Sequence, residues 1–227
     1  SAKSILDLAG FTDGKAVFLC SGGEAIEISR QIAKHLTDRS QSMTLHDSYL
    51  GAYSSVKDRS RDWYLFNWEK CQTCDIKKTC DRNCELLLSI PEDLSEFIFE
   101  PGSSSGFVRF PPKEMIRNTV DIVRGNGGKI IINEVTTGIG RTGKWFGYQH
   151  YDITPDFVAI GKGIGNGYPV SVSLIHPEIS VDERLQSFRY AQSHQNDPLG
   201  AAVAKEVIQV IQEQDLISNA ETIGKYL

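Results

Sequence analysis

Lys162 stands in Ala159-Ile160-Gly161-Lys162-Gly163-Ile164-Gly165-Asn166-Gly167, directly after the apolar run Phe157-Val158-Ala159-Ile160. A lysine amine attacks carbonyl carbon, and burial that lowers its pKa makes it a stronger nucleophile near neutral pH. Glycines on both sides let a bulky ring approach the backbone closely. The same letters also describe a solvated lysine in a flexible loop. The rest of the chain has to decide between the two.

A second group is Ser21-Gly22-Gly23-Glu24. Ser21 and Glu24 have the spacing of a capping box, which places a helix start here. Glycine N–H groups at a helix N-terminus, where the dipole favours negative charge, can hold a phosphate. A plain helix cap would use the same residues. A third group, Gly138-Ile139-Gly140-Arg141-Thr142-Gly143, has the GxGxxG spacing of dinucleotide sites. That reading requires a helix to open at the glycines. The residues that follow, 144–155, are aromatic, end in proline and carry no helical stripe, so the context fails.

Cys71, Cys74, Cys80 and Cys84 are four of the chain's five cysteines and fall within fourteen residues. In a reducing compartment such clustering points to a metal more than to disulfides. Four sulfurs at short spacing can close a structural zinc site; an iron–sulfur cluster is the alternative, and disulfides or no ligand stay open. Lys70, Lys77, Lys78 and Arg82 nearby would favour thiolates. Cys20, at the end of an apolar run, reads as core.

These groups need a scaffold, and β and α patterns alternate along the chain. Strands are expected at 16–20, 43–46, 96–99, 129–132, 157–160 and 170–175. Between them lie helical stripes: Ala25, Ile28, Ile32 and Leu36; Ile116, Val120 and Val123 after Pro111-Pro112; and Leu199, Val203, Val207 and Ile211 after Pro198. Residues 216–227 also read as helical. Continuous apolar strands separated by amphipathic helices imply an α/β fold, a mostly parallel sheet with helices on both faces.

The bounds agree. The chain has 227 residues, 40% hydrophobic, and a net charge of −5. That suits one sizeable core and gives no reason to expect nucleic acid or a membrane surface as partner. No run approaches the length of a spanning helix, and the first residues do not read as a signal peptide. A cytoplasmic location is the expectation.

Taken in order, the motifs resemble those of class III, or ω-type, aminotransferases, which are fold type I pyridoxal-phosphate enzymes. The resemblance runs from Val17 to Ile211. Ser21-Gly22-Gly23-Glu24-Ala25 is similar to the family's phosphate cup, and His46-Asp47-Ser48-Tyr49-Leu50-Gly51 to the segment whose aromatic stacks on the cofactor ring. Glu100-Pro101 resembles a turn near the active site, Asn133-Glu134-Val135 the segment facing the pyridine nitrogen, and 192–198 the segment whose hydroxyl reaches the neighbouring subunit's phosphate. The resemblance implies a three-layer α/β/α large domain and a homodimer. Its cofactor would be pyridoxal phosphate, held by Lys162 as a Schiff base, with Gly22 and Gly23 on the phosphate, Tyr49 and Val135 on the ring faces, and Ser193 reaching the partner. The reaction implied moves an amino group from an amine or amino acid to a keto acid. Other reactions of the fold type, racemase, decarboxylase or lyase, and an inert binding protein are the alternatives.

Four departures stand out. Leu50 replaces a usual histidine, and Asn133 a usual aspartate that keeps the pyridine nitrogen protonated. Residues 62–88, with the four cysteines, form an insertion. Relative to the family, residues 1–227 correspond to the large domain alone, without the N-terminal segment and the C-terminal small domain.

Overall fold

The computed structural model describes residues 2–59, 61–76, 79–102 and 108–226. Among them seven strands form one sheet: β1 (Lys15–Leu19), β2 (Gln41–Leu45), β3 (Trp63–Phe66), β4 (Leu94–Phe99), β5 (Lys129–Asn133), β6 (Phe157–Ile160) and β7 (Ser171–Ile175). Their order across the sheet is β1-β7-β6-β5-β4-β2-β3. β7 runs antiparallel to both neighbours, and the pairs from β6 to β3 are parallel. The expected mostly parallel sheet is present, with one strand reversed.

Side chains of a strand alternate between faces, and these strands are apolar on both. Phe97 and Phe99 of β4, Ile130 and Ile132 of β5, and Val158 and Ile160 of β6 enter one core. Ile98, Ile131, Phe157 and Ala159 enter the other. The first is covered by the helices Lys113–Gly125, through Met115, Ile116, Val120 and Val123, and Pro198–Glu213, through Ala204 and Ile208. The second is covered by the helix Gly22–Thr37, through Ala25, Ile26, Ile32 and Leu36. Each large side chain buried this way contributes about 1.5–3 kcal/mol. The result is the three-layer α/β/α arrangement.

A buried ion pair fixes the helix Gly22–Thr37 over the sheet. Arg30 Nε donates to Glu96 Oε1 at 3.1 Å, and Ser42 Oγ donates to the same oxygen at 2.7 Å. Arg30 Nη2 also donates to Ser42 Oγ at 3.1 Å. Removing one partner of such a pair would strand a buried charge, so the helix has one register on β2 and β4.

The segment expected as an insertion begins as the sheet's edge strand. β3 pairs in parallel with β2, Ser42 opposite Trp63 and Leu45 opposite Phe66. Trp68 then buries its ring and donates from Nε1 to Asp47 Oδ1 at 2.8 Å. Arg109 Nη2 donates to Asp47 Oδ2 at 2.8 Å, with its guanidinium 5.5 Å from the Trp68 ring centroid. The insertion is thereby joined to the segment that carries Tyr49.

Candidate active site

In sheets of this kind ligands bind beyond the carboxyl ends of the parallel strands. The loops after β1, β2, β5 and β6 meet there around a cavity of about 490 Å³. Its lining includes Gly22, Gly23, Tyr49, Asn133, Val135 and Lys162. Four loops far apart in the sequence therefore meet at one cavity.

β6 is buried along its length and delivers Lys162 one residue beyond Gly161. Lys162 has φ +40°, in the left-handed region, and opens the short 3₁₀ turn Lys162–Ile164, anchored by buried Ile164. A non-glycine residue held there carries strain on the order of 1–2 kcal/mol, a feature that concentrates at functional positions. Its Nζ donates to Thr136 Oγ1 at 3.1 Å. The expectation of a buried amine is not met: Lys162 is exposed, at the mouth of the cavity. Thr136 had no motif to mark it, since a hydroxyl after a strand is ordinary loop composition.

The helix Gly22–Thr37 begins with the expected capping box. Ser21 Oγ accepts from Glu24 N–H at 3.3 Å, and Glu24 Oε2 accepts from Ser21 N–H at 3.1 Å and Cys20 N–H at 2.7 Å. Gly22 is required by contact. A Cβ on it would lie 2.5 Å from Val135 Cγ2, and one on Gly161 would lie 3.3 Å from both Gly22 Cα and Val135 Cγ1. The two glycines let the helix start, the lysine loop and Val135 close on one another.

Asn133 ends β5 opposite Ala159 and is 4% exposed. Its Oδ1 accepts from Val135 N–H at 3.1 Å, and its Nδ2 donates to Tyr49 O at 2.9 Å. Turning the amide over would set donor against donor and acceptor against acceptor. At about 1–3 kcal/mol for each buried group left unmatched, the orientation is fixed. Tyr49 is held from its other side by Glu100 Oε2, which accepts from Tyr49 N–H at 3.0 Å. The Tyr49 ring is 52% exposed, whereas Leu50 beside it is buried.

Cys20 sits elsewhere than expected, and Ser193 lies away from this chain's own cavity. Cys20 lies just past β1, half-buried, and lines the cavity instead of the core. Burial, then Glu24 and Asp197, push its thiol up, so it is no ready nucleophile. Ser193 is exposed and outside the cavity lining. The polar run around it has local duties. Asn196 Oδ1 accepts from Phe18 N–H at 3.0 Å, Gln192 Nε2 donates to Glu24 Oε2 at 3.3 Å, and Asp197 caps the helix Pro198–Glu213 through Gly200 N–H.

The GxGxxG segment opens no helix; a four-residue 3₁₀ turn, Gly147–His150, follows instead. Its glycines meet the helix Leu216–Tyr226: a Cβ on Gly140 would lie 2.9 Å from Ile217 Cγ1, and one on Gly143 3.0 Å from Glu221 Cβ. The segment is gathered by Glu134, fully buried, which accepts from Thr137 Oγ1 at 2.7 Å, Gly147 N–H at 2.9 Å and Tyr148 N–H at 2.7 Å. Burial pushes the Glu134 carboxyl up to about 7, against the pull of these three donors.

The four clustered cysteines are free thiols, each half-buried, and Cys71, Cys80 and Cys84 rest against the core. Among the described residues no three or more His, Cys, Asp or Glu side chains are grouped to hold a metal ion. For Cys71 and Cys80 burial works against the expected preference for thiolate. Burial, then the neighbouring Cys80, Cys84 and Cys74, push the Cys71 thiol up to about 11. Arg82 is turned away, donating from Nε to Asn118 Oδ1 at 2.9 Å and pairing with Asp121. Lys77 and Lys78 lie outside the described residues.

A phosphorylated aromatic aldehyde fits what the cavity offers. It has an amine at the mouth, a helix N-terminus whose glycines admit nothing larger, an aromatic and a branched side chain, and one buried amide. The sequence relatives are consistent with that. The chain is 36% identical over 146 residues to the human protein "Alanine--glyoxylate aminotransferase 2, mitochondrial", covering 63% of this chain and 28% of that protein. It is 24% identical over 248 residues to a "Leucine/methionine racemase" of Thermococcus litoralis, covering 99% and 56%. Among solved structures, an S-selective transaminase from Arthrobacter sp. with alanine bound superposes with a TM-score of 0.85 at 25% identity, covering 100% of this chain and 57% of that one. The chain thus spans 57% or less of each of these three proteins. The family model for class III aminotransferases matches residues 1–227, and the chain that builds this cavity belongs to that family.

Proposed function

We propose that this chain is the cofactor-binding large domain of a pyridoxal-phosphate-dependent aminotransferase acting between an amine or amino acid and a keto acid. The observation that carries the reading is the convergence of Lys162, Gly22, Gly23 and Asn133 on one cavity. When bound, pyridoxal phosphate supplies an aldehyde for the amine and a ring that accepts electrons. The protein supplies the rest. Lys162 Nζ would hold the aldehyde group and, once released, would be the base and acid that moves a proton at the substrate carbon. Thr136, already accepting a hydrogen bond from Nζ, orients the amine. Gly22 and Gly23 N–H groups would hold the phosphate, and Tyr49 and Val135, which line the same cavity, would hold the ring. Ser193, exposed and away from this chain's cavity, reaches the phosphate of a second copy, which makes the working unit a homodimer in the cytoplasm.

The test is a half-reaction. An amine donor added to the cofactor-loaded protein should convert the pyridoxal absorbance to that of the pyridoxamine form, and a keto acid should restore it. Product without that conversion favours the second reading, a racemase or other reaction at the same carbon. Asn133 and the Thermococcus relative support that alternative. An unresponsive spectrum means the chain binds cofactor without turnover.

Zinc on Cys71, Cys74, Cys80 and Cys84 completes the proposal, and it rests on sequence spacing. About one zinc per chain after purification is the expected result. Iron with labile sulfide would replace zinc by a cluster, and four free thiols without metal would remove the site.

A further inference from the structure

We infer that Asn133 donates a hydrogen bond to the cofactor's ring nitrogen and so keeps that nitrogen unprotonated. This rests on the cofactor reading above. Among the described residues lining the cavity, Asn133 is the single polar one that is buried. A pyridine ring entering with its aldehyde at Lys162 and its phosphate at Gly22 and Gly23 meets Asn133 as the polar group at the floor.

The amide reaches that floor with its polarity already set. Oδ1 is turned back onto Val135 N–H, and Nδ2 donates directly to Tyr49 O. An amide NH₂ carries two hydrogens; Tyr49 O takes one, and the other is left for a ligand. A ring nitrogen with a lone pair accepts it. A protonated ring nitrogen would bring a second donor against it. Among the described residues no carboxylate lines the cavity to replace the missing charge, and both oxygens of Glu134, next in sequence, are spent on Thr137, Gly147 and Tyr148. Lacking its proton, the ring withdraws electrons less, so charge formed at the substrate carbon stays nearer that carbon.

The nitrogen can be read directly. The full protein is loaded with pyridoxal phosphate carrying ¹⁵N in the ring, and its ¹⁵N spectrum is recorded from pH 6 to 9. An unprotonated shift, without one-bond N–H coupling across the range, is expected. Asn133→Asp should move the resonance upfield to the pyridinium position. Asn133→Ala should remove the hydrogen-bond contribution and leave a free-pyridine shift, which covers the case in which the aspartate variant fails to fold. A wild-type nitrogen protonated at pH 7, with the cofactor reducible by borohydride onto Lys162, would overturn this inference and leave the cofactor reading standing. Failure of the protein to take up the cofactor would overturn both.

Discussion

Lys162→Ala is expected to abolish amino-group transfer, by at least about 10³-fold, because one side chain is both the attachment point and the proton carrier. Lys162→Arg should be no better. A guanidinium can still donate to Thr136, but it neither attacks a carbonyl nor gives up its proton near neutral pH. Borohydride treatment of the cofactor-loaded wild type, followed by peptide mapping, should place the pyridoxyl label on Lys162. A label on Lys129 or Lys144 would remove the assignment; the Lys144 amine donates instead to Gln149 O at 3.0 Å. The left-handed backbone at Lys162 makes a further point. Lys162→Gly should relieve strain and be more stable than Lys162→Ala, although equally inactive.

Glu134→Ala should cost stability instead of chemistry. It leaves three donors, Thr137 Oγ1, Gly147 N–H and Tyr148 N–H, without their acceptor in a fully buried place. At about 1–3 kcal/mol for each, the loss is about 3 kcal/mol or more, read as a lower urea midpoint at unchanged slope. The pH dependence follows from the direction of the pKa shift. Burial raises the folded-state value from 4.5 to about 7, so between those values the folded chain holds a proton that the unfolded chain has released. Stability from this group therefore falls as pH rises through that window, by up to about 1.4 kcal/mol per pH unit, and levels off above it. In Glu134→Gln that component of the slope should vanish. An unchanged slope would mean that the three hydrogen bonds, which favour the ionised form, outweigh burial.

The sheet was legible in the sequence because its strands are apolar on both faces, and runs such as Lys129-Ile130-Ile131-Ile132 have few other uses. β3 was not. It lies at the edge, with Leu65 exposed and Trp63 and Tyr64 half-buried, so no alternation marks it. The reversal of β7 was hidden for a different reason: an apolar run carries no direction. At the site, glycines and the lysine were legible because close approach and nucleophilicity restrict residue type. Thr136, Tyr53 and Tyr168, which also line the cavity, occur in any loop. Cys20 misled because its neighbours are apolar, although the strand stops one residue short of it. The cysteine spacing expresses a capacity for metal that the half-buried thiols do not display as a grouped ligand set among the described residues.

β1 pairs with β7, Lys15 opposite Ile175 and Leu19 opposite Ser171, and with no strand nearer to it in sequence. The loop this contact closes contains every other strand of the sheet. Closing so long a loop carries a large entropic penalty, and pairings of that separation form slowly. The glycines after β1 and the lysine before β7 are set against one another by this contact together with the packing of the helix Gly22–Thr37 on the sheet. A chain in which this pairing has not formed has the lysine and the glycines less firmly set against each other, and on the reading proposed above, uptake of pyridoxal phosphate would report that the most distant pairing in the sheet has been made. A ligand bound to the finished state stabilises it by mass action, so a bound cofactor would hold shut the contact that folding makes with most difficulty.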